Sequence, residues 1–276
     1  MFRYSGEDEC NLDVEDWSEH YLGRDNVEFF SDAFAALAGR HDIGNQGLMA
    51  IGLVGQRDLP GFTIRTAQAI LRWDLRPSLW SHLFLVAEPV QPDAASVADA
   101  RIREVPIYSR AGRFPEPNDN AVMDGRLALY GDPRIDANVA VLAVEMSHEE
   151  AAGVAERALE KLNLDRMRYD LWESLGMWQS YLWGAGTRPN PLREGFPVAA
   201  SAFVEYCFEA IQVDLSPGGS ERNSAPEHVW NGAVWWNHVF REFHHRVAGF
   251  YVLRDKGCSL MDPNALAPRE TTKEGA

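Results

Sequence analysis

The sequence predicts an α+β domain, and three observations carry that prediction. Short apolar runs bounded by glycine or proline read as strands, amphipathic stretches at helical spacing lie between them, and a capping box at Ser147 opens a further helix. Residues 1–26 are acidic and poorly patterned. Val27, Phe30, Phe34, Leu37 and Ala38 then recur at helical spacing, with Gly39 as the stop. Gly47 to Gly55 is too short and too apolar for a helix and predicts a buried strand, whereas residues 63–73 return to helical periodicity. Pro77 breaks the chain before a second apolar run over 82–90, and residues 102–108 and 137–144 predict two more strands, the last one fully buried. Ser147 as N-cap with Glu150 three residues on predicts a helix running towards Leu162, followed by an aromatic helix over 169–183. Glycines and prolines between 184 and 195 make a turn-rich connection to a helix that starts near Ala199 and carries Phe203, Cys207, Ala210 and Ile211 on one stripe. Residues 216–219 form a turn, and 226–252 predict a tryptophan-rich helical segment. The organisation is therefore an N-terminal acidic segment and helix over 1–46, a single α+β domain over 47–262, and a frayed tail over 263–276.

Composition narrows the function classes. A chain of 276 residues, 46% hydrophobic, suits one large domain with a substantial core. Its formal charge of -15 repels phosphate backbones and anionic lipid surfaces, so nucleic acid is not an expected partner. Three cysteines without a CxxC pair suggest neither a disulfide framework nor a cysteine zinc site. Residues 1–9 lack the basic start and apolar run of a secretory leader, and no apolar stretch approaches the roughly 20 residues that span a bilayer. The expected location is cytoplasmic, with export by a route that reads no such leader left open.

The candidate chemistry pairs a histidine at the mouth of an apolar strand with a helix start rich in small residues. Ser81-His82-Leu83-Phe84-Leu85-Val86 is the strand, and Ala199-Ala200-Ser201-Ala202-Phe203-Val204 is the helix start. A thiol nucleophile acts as a thiolate, which a helix N-terminus and an adjacent imidazole both favour. A third polar group then fixes the imidazole tautomer; Glu104 is the candidate, ahead of Asp99 and Glu88.

These two segments resemble the permuted papain-like thiol hydrolases and acyltransferases, relatives of the NlpC-type cell-wall peptidases. That family has a Ser-His strand motif first and a Cys-Ser-x-Phe/Leu-Val helix well afterwards. Ser81 to Val86 is similar to the former, Ala200 to Val204 to the latter, and residues 211–218 to the stretch just downstream of that helix. The resemblance spans residues 47–220 and implies a small, mainly antiparallel sheet flanked by helices. It implies a peptide, acyl or cell-wall-type substrate, with His82 as base, Glu104 as its orienting group and no cofactor. The family's cysteine position falls on Ala200, so the chain is expected to be inactive as written. An engineered replacement, a natural pseudoenzyme, or a different register in which Ser201 or Cys207 acts all remain open at this point. Cys207 lies about two turns, or roughly 10 Å, along the helix from Ala200, outside the N-terminal field. Ser201 also reads as a helix cap, and Cys207 as a small buried hydrophobe.

The alternative is a non-catalytic binding or assembly protein that presents an aromatic surface to a protein partner, in keeping with nine tryptophans. His238 and Glu242 share a helix face, but with His244 and His245 they form no HExxH pattern, and no metal site is predicted. Gly184-Ala185-Gly186 lacks the lysine and spacing of a phosphate loop, so no nucleotide cofactor is expected either.

Overall fold

A seven-stranded mixed sheet organises the chain, seen in a computed structural model that describes residues 14–39, 47–72, 74–88, 97–106, 122–164, 200–217, 224–239 and 245–261. The strands are β1 (Val14–Asp16), β2 (Gly47–Gln56), β3 (His82–Val86), β4 (Arg101–Glu104), β5 (Met123–Arg126), β6 (Asp136–Met146) and β7 (Val247–Leu253). Their order across the sheet is β1-β7-β6-β2-β3-β4-β5; β1 runs parallel to β7, and the other neighbours are antiparallel. The α+β class is as expected, but the sheet is larger than the small one predicted.

Six α-helices are described: α1 (Ser18–Tyr21), α2 (Asn26–Ala38), α3 (Leu59–Ala67), α4 (His148–Leu164), α5 (Ala200–Phe208) and α6 (Pro226–Val239). Local chemistry sets several of their ends. Asp25 accepts from the Val27 N–H to cap α2, and Asp58 accepts from the Gly61 N–H to cap α3, which carries a proline in its first turn where no donor is needed. The capping box at α4 is reciprocal: the Ser147 N–H donates to Glu150 at 2.7 Å and the Glu150 N–H to Ser147 Oγ at 3.2 Å.

Helices cover both faces of the sheet, which is why the central strands β2 and β6 are buried at every position and read as continuous apolar runs. On one face Met49, Ile51, Leu53, Leu83, Leu85 and Leu142 pack with side chains of α4, α5 and α6, Phe203, Phe208 and Trp230 among them. On the other, Val54, Phe84, Val86, Ile102 and Val141 meet Phe29, Phe30 and Phe34 of α2. Gly52 belongs to this second packing by necessity: a Cβ there would lie 2.1 Å from the Phe84 ring. At the sheet end, buried Arg65 of α3 pairs with Asp255 at 2.8 Å and donates to the Ser78 carbonyl.

Three sequence expectations need correction. The helix read over 226–252 ends at Val239, and Val247 to Leu253 is a strand. Its run of valines and aromatics suits a strand, and only pairing with β6 decides the matter, because short apolar runs carry no distinguishing period. The stretch read as unpatterned contains β1 and α1, held by pairing to β7 and by Trp17, whose ring packs 4.0 Å from that of Phe250. The strands expected over 82–90 and 102–108 are shorter, ending at Val86 and Glu104, and the polar strand β5 had no apolar signal. The helix over 169–183, the turn over 184–195 and the tail over 263–276 lie outside the described residues.

Candidate functional site

Strand register places the candidate side chains. Val54 of β2 stands opposite His82, and Leu85 of β3 opposite Arg103, so by antiparallel continuation Phe84 stands opposite Glu104. Side chains alternate along a strand, so His82, Phe84 and Glu104 share the face that α2 covers, while Leu83 and Leu85 point to the α5 face. His82 and Glu104 are therefore diagonal neighbours on one face, and their side chains meet: His82 Nε2 lies 2.7 Å from Glu104 Oε2, with His82 2% and Glu104 4% exposed.

Tyr130 completes a cluster that sequence reasoning missed. A 3-10 turn over Leu127–Tyr130 carries its hydroxyl to Glu104 Oε2, to which it donates. Its ring stacks on Phe84 with centroids 5.0 Å apart, and lies 5.7 Å from the His82 ring. Nothing in the sequence marked it, because the contact is made through a tight turn from β5 and not through any spacing. Gly125 of β5 leaves the room, since a Cβ there would come within 2.8 Å of Glu104 Oε1. With the carboxylate accepting twice, Nε2 carries the imidazole proton and donates it. Nδ1 is buried and without a hydrogen-bond partner among the described residues.

The helix-start residues lie elsewhere. Ala200 is buried in the cluster on the α5 face, across the sheet from His82. Ser201, fully buried, donates its hydroxyl to the Ser224 carbonyl at 2.5 Å, which fixes it as an anchor for the segment that enters α6. Cys207 is buried in the same apolar cluster. The structure thus brings His82 and Glu104 together and does not bring Ala200 or Ser201 to them. Of the other two carboxylates considered for the orienting role, Glu88 pairs with Arg101 at the surface, and Asp99 sits in a 3-10 turn preceding β4.

A second polar cluster, also unassigned by sequence, surrounds Glu205 one turn beyond Ser201 on α5. Glu205 is 1% exposed and accepts from the Leu215 N–H at 3.0 Å, from Ser216 Oγ at 2.5 Å and from Ser224 Oγ at 3.1 Å. Burial pushes its carboxyl up to about 7, and the like charge of Asp214 pushes the same way against the three donors. The sequence held one signal for it: a lone acidic residue inside a helix whose other polar side chains are only Ser201 and Tyr206.

His245, the described member of the histidine group, sits with Nδ1 3.0 Å from the Glu145 carbonyl oxygen and Nε2 3.6 Å from Glu150. The side chains of His238, Glu242 and His244 lie outside the described residues. No grouping of potential metal ligands occurs among the described residues, and none of their helices is long and apolar enough to cross a membrane. Trp236 is buried and donates to the His245 carbonyl, whereas Trp235, next to it on α6, is 39% exposed. No protein-family model matches the chain, and no curated protein matches it.

Proposed function

We propose that this chain is a non-catalytic binding or assembly protein, in which the His82–Glu104–Tyr130 cluster holds the sheet together and performs no chemistry. One observation carries the reading: the imidazole and its carboxylate are sealed between β3, β4 and the Tyr130 turn, while the residue at the expected nucleophile position is an alanine across the sheet. A base needs to reach the group it deprotonates within hydrogen-bond distance. The 39% exposure of Trp235 on α6 is in keeping with the binding side of the proposal, because an indole at the surface offers a partner apolar area.

A specific observation favours a second reading, a papain-like thiol hydrolase or acyltransferase scaffold that has lost its nucleophile. His82 is oriented by a carboxylate through one nitrogen and keeps the other nitrogen free, which is the division of labour a general base requires. Alkylation of Ala200→Cys by iodoacetamide across pH, followed at the peptide level, decides between the two, with Ala200→Cys/His82→Ala as its control. The expected result is a thiol that titrates above the free value of about 8.5, because its site is buried among apolar side chains, and is indifferent to His82. A thiol titrating well below that, and returning upward when His82 is removed, would replace the binding proposal by the scaffold of a disarmed hydrolase.

A further inference from the structure

The exposed apolar side chains of the described residues are not scattered. Leu59, Ile70, Leu75 and Leu260 are four of the seven large ones that stand in solvent, and all four lie on or beside α3. That helix buries Gly61, Ile64, Arg65 and Ala67, so Leu59, Phe62 and Thr66 form its outward face, which Ile70 extends on the 3-10 turn over Gln68–Leu71. Backbone hydrogen bonds bring the other two leucines to it. The Met261 N–H donates to the Arg57 carbonyl, which places Leu260 beside the start of α3. The Ser78 N–H donates to the Arg65 carbonyl, which folds the turn carrying Leu75 back along the end of the helix.

Leu75 is held in a strained conformation. Its φ is 55°, in the left-handed region that a leucine rarely adopts, yet its side chain is 69% exposed and contributes little to the core. The turn beneath it is fixed: Arg72 donates twice to Asp74 and reaches Glu227 of α6 at 3.1 Å, and the Arg76 N–H donates to Asp74. The carboxylates around the ridge are all engaged, Asp74 by Arg72, Asp58 as the α3 cap and Asp255 by Arg65. The exposed cations Arg76 and Lys256 have no carboxylate partner among the described residues. In a chain of net charge -15, this end of the molecule presents leucines rimmed by unpaired positive charge.

We propose that this ridge docks an acidic amphipathic helix of a partner protein. The apolar stripe of that helix covers the leucines, and its carboxylates meet Arg76 and Lys256. From Leu59 to Ile70 the ridge runs roughly 17 Å, the length of about three helical turns. The inference rests on the reading of the chain as a binding protein and names a surface other than Trp235. Charge selects the occupant. A second copy in a two-fold contact would set the two cations against their own equivalents, and an anionic lipid surface would meet the repulsion of the acidic remainder of the chain.

The test titrates the full chain into a labelled synthetic peptide of leucine and glutamate, amphipathic as a helix and about four turns long, and follows fluorescence anisotropy. Saturable binding that weakens with added salt is expected. It should fall about tenfold or more in Leu75→Gly and in Arg76→Glu/Lys256→Glu, and stay unchanged in Leu159→Ala, an exposed leucine on α4. The matching leucine and lysine peptide should bind at least about tenfold more weakly. Leu75→Gly also separates docking from folding, because glycine relieves the left-handed strain: its melting temperature should hold or rise while binding falls. Absence of saturable binding, equal binding of the lysine peptide, or indifference to Leu75 and the two cations overturns the proposal. Self-association lost in Leu75→Gly would give the ridge to a second copy, and binding to vesicles of anionic lipid lost in the same variant would give it to a membrane; either replaces the partner helix. Binding that only Trp235→Ala weakens would remove this surface and leave the binding reading standing.

Discussion

On one face of the sheet a buried glutamate, Glu104, is met by an imidazole and a phenol; on the other a buried glutamate, Glu205, is met by two serine hydroxyls and a peptide N–H. The first set of partners is delivered by strand register and ring stacking, and no partner can leave without disturbing β3, β4 or the stack of Phe84 on Tyr130. The second set is delivered by chain segments that connect helices, one of which also buries Val213 and Leu215 in the core cluster on that face of the sheet. A buried carboxylate met by two rings is held through strand register, whereas one met by hydroxyls and a peptide N–H fastens two connecting segments to a single helix.

The comparison breaks first at Glu104. Glu104→Ala leaves His82 Nε2 and the Tyr130 hydroxyl unsatisfied in a buried site, and a loss of about 3–5 kcal/mol in urea unfolding is expected. Tyr130→Phe, which keeps the stack and removes one hydrogen bond, should cost about 1.5–3 kcal/mol. Equal losses in the two variants would mean that the Tyr130 hydrogen bond carries the cluster and the His82 contact adds little. Glu205 is next: wild-type stability should fall by on the order of 3 kcal/mol between pH 4.5 and pH 8.5, and Glu205→Gln should remove most of that slope. Thermal melts over that range check it, and a slope unchanged in the variant would place the responsible proton elsewhere. Gly52→Ala drives a methyl into the Phe84 ring and should cost about 1–3 kcal/mol through overpacking. Combined with Tyr130→Phe, its cost should be less than additive, because both act on the same ring stack. The smallest effect is expected at Ser147→Ala, outside both clusters, where loss of the cap should cost about 1 kcal/mol.

Legibility in the sequence tracks the range of the forces involved. The α2 span, the central strands and the Ser147 cap were legible because each is fixed by neighbours a few residues away: a periodic stripe, an unbroken apolar run, a serine three residues before a glutamate. β1, β5 and β7 were not, because pairing across the sheet decides them and their own composition does not. In the candidate site the His82–Glu104 contact could be anticipated from adjacent strands, since facing residues on neighbouring strands meet whenever the register allows. The side of the sheet on which His82 would lie could not. A shift of one residue in register moves every side chain to the other face, and here the register sets Leu83 and not His82 towards α5. Glu205 was visible as an acid in an apolar helix, but its partners come from two separate segments that no spacing joins.

The parallel pairing of β1 with β7 has a consequence for how the molecule comes together in time. Val14 sits opposite Gly249, and the Leu253 N–H donates to Ser18 Oγ across 235 residues of sequence. During synthesis from the N-terminus, β1 and α1 emerge long before the strand they join. Until β7 is made, Trp17 lacks Phe250 and the β6 edge stays open. The last of the described strands therefore joins the first of them, and a ribosome stalled before residue 247 would hold a chain with the β6 edge unpaired and an aromatic anchor still in water.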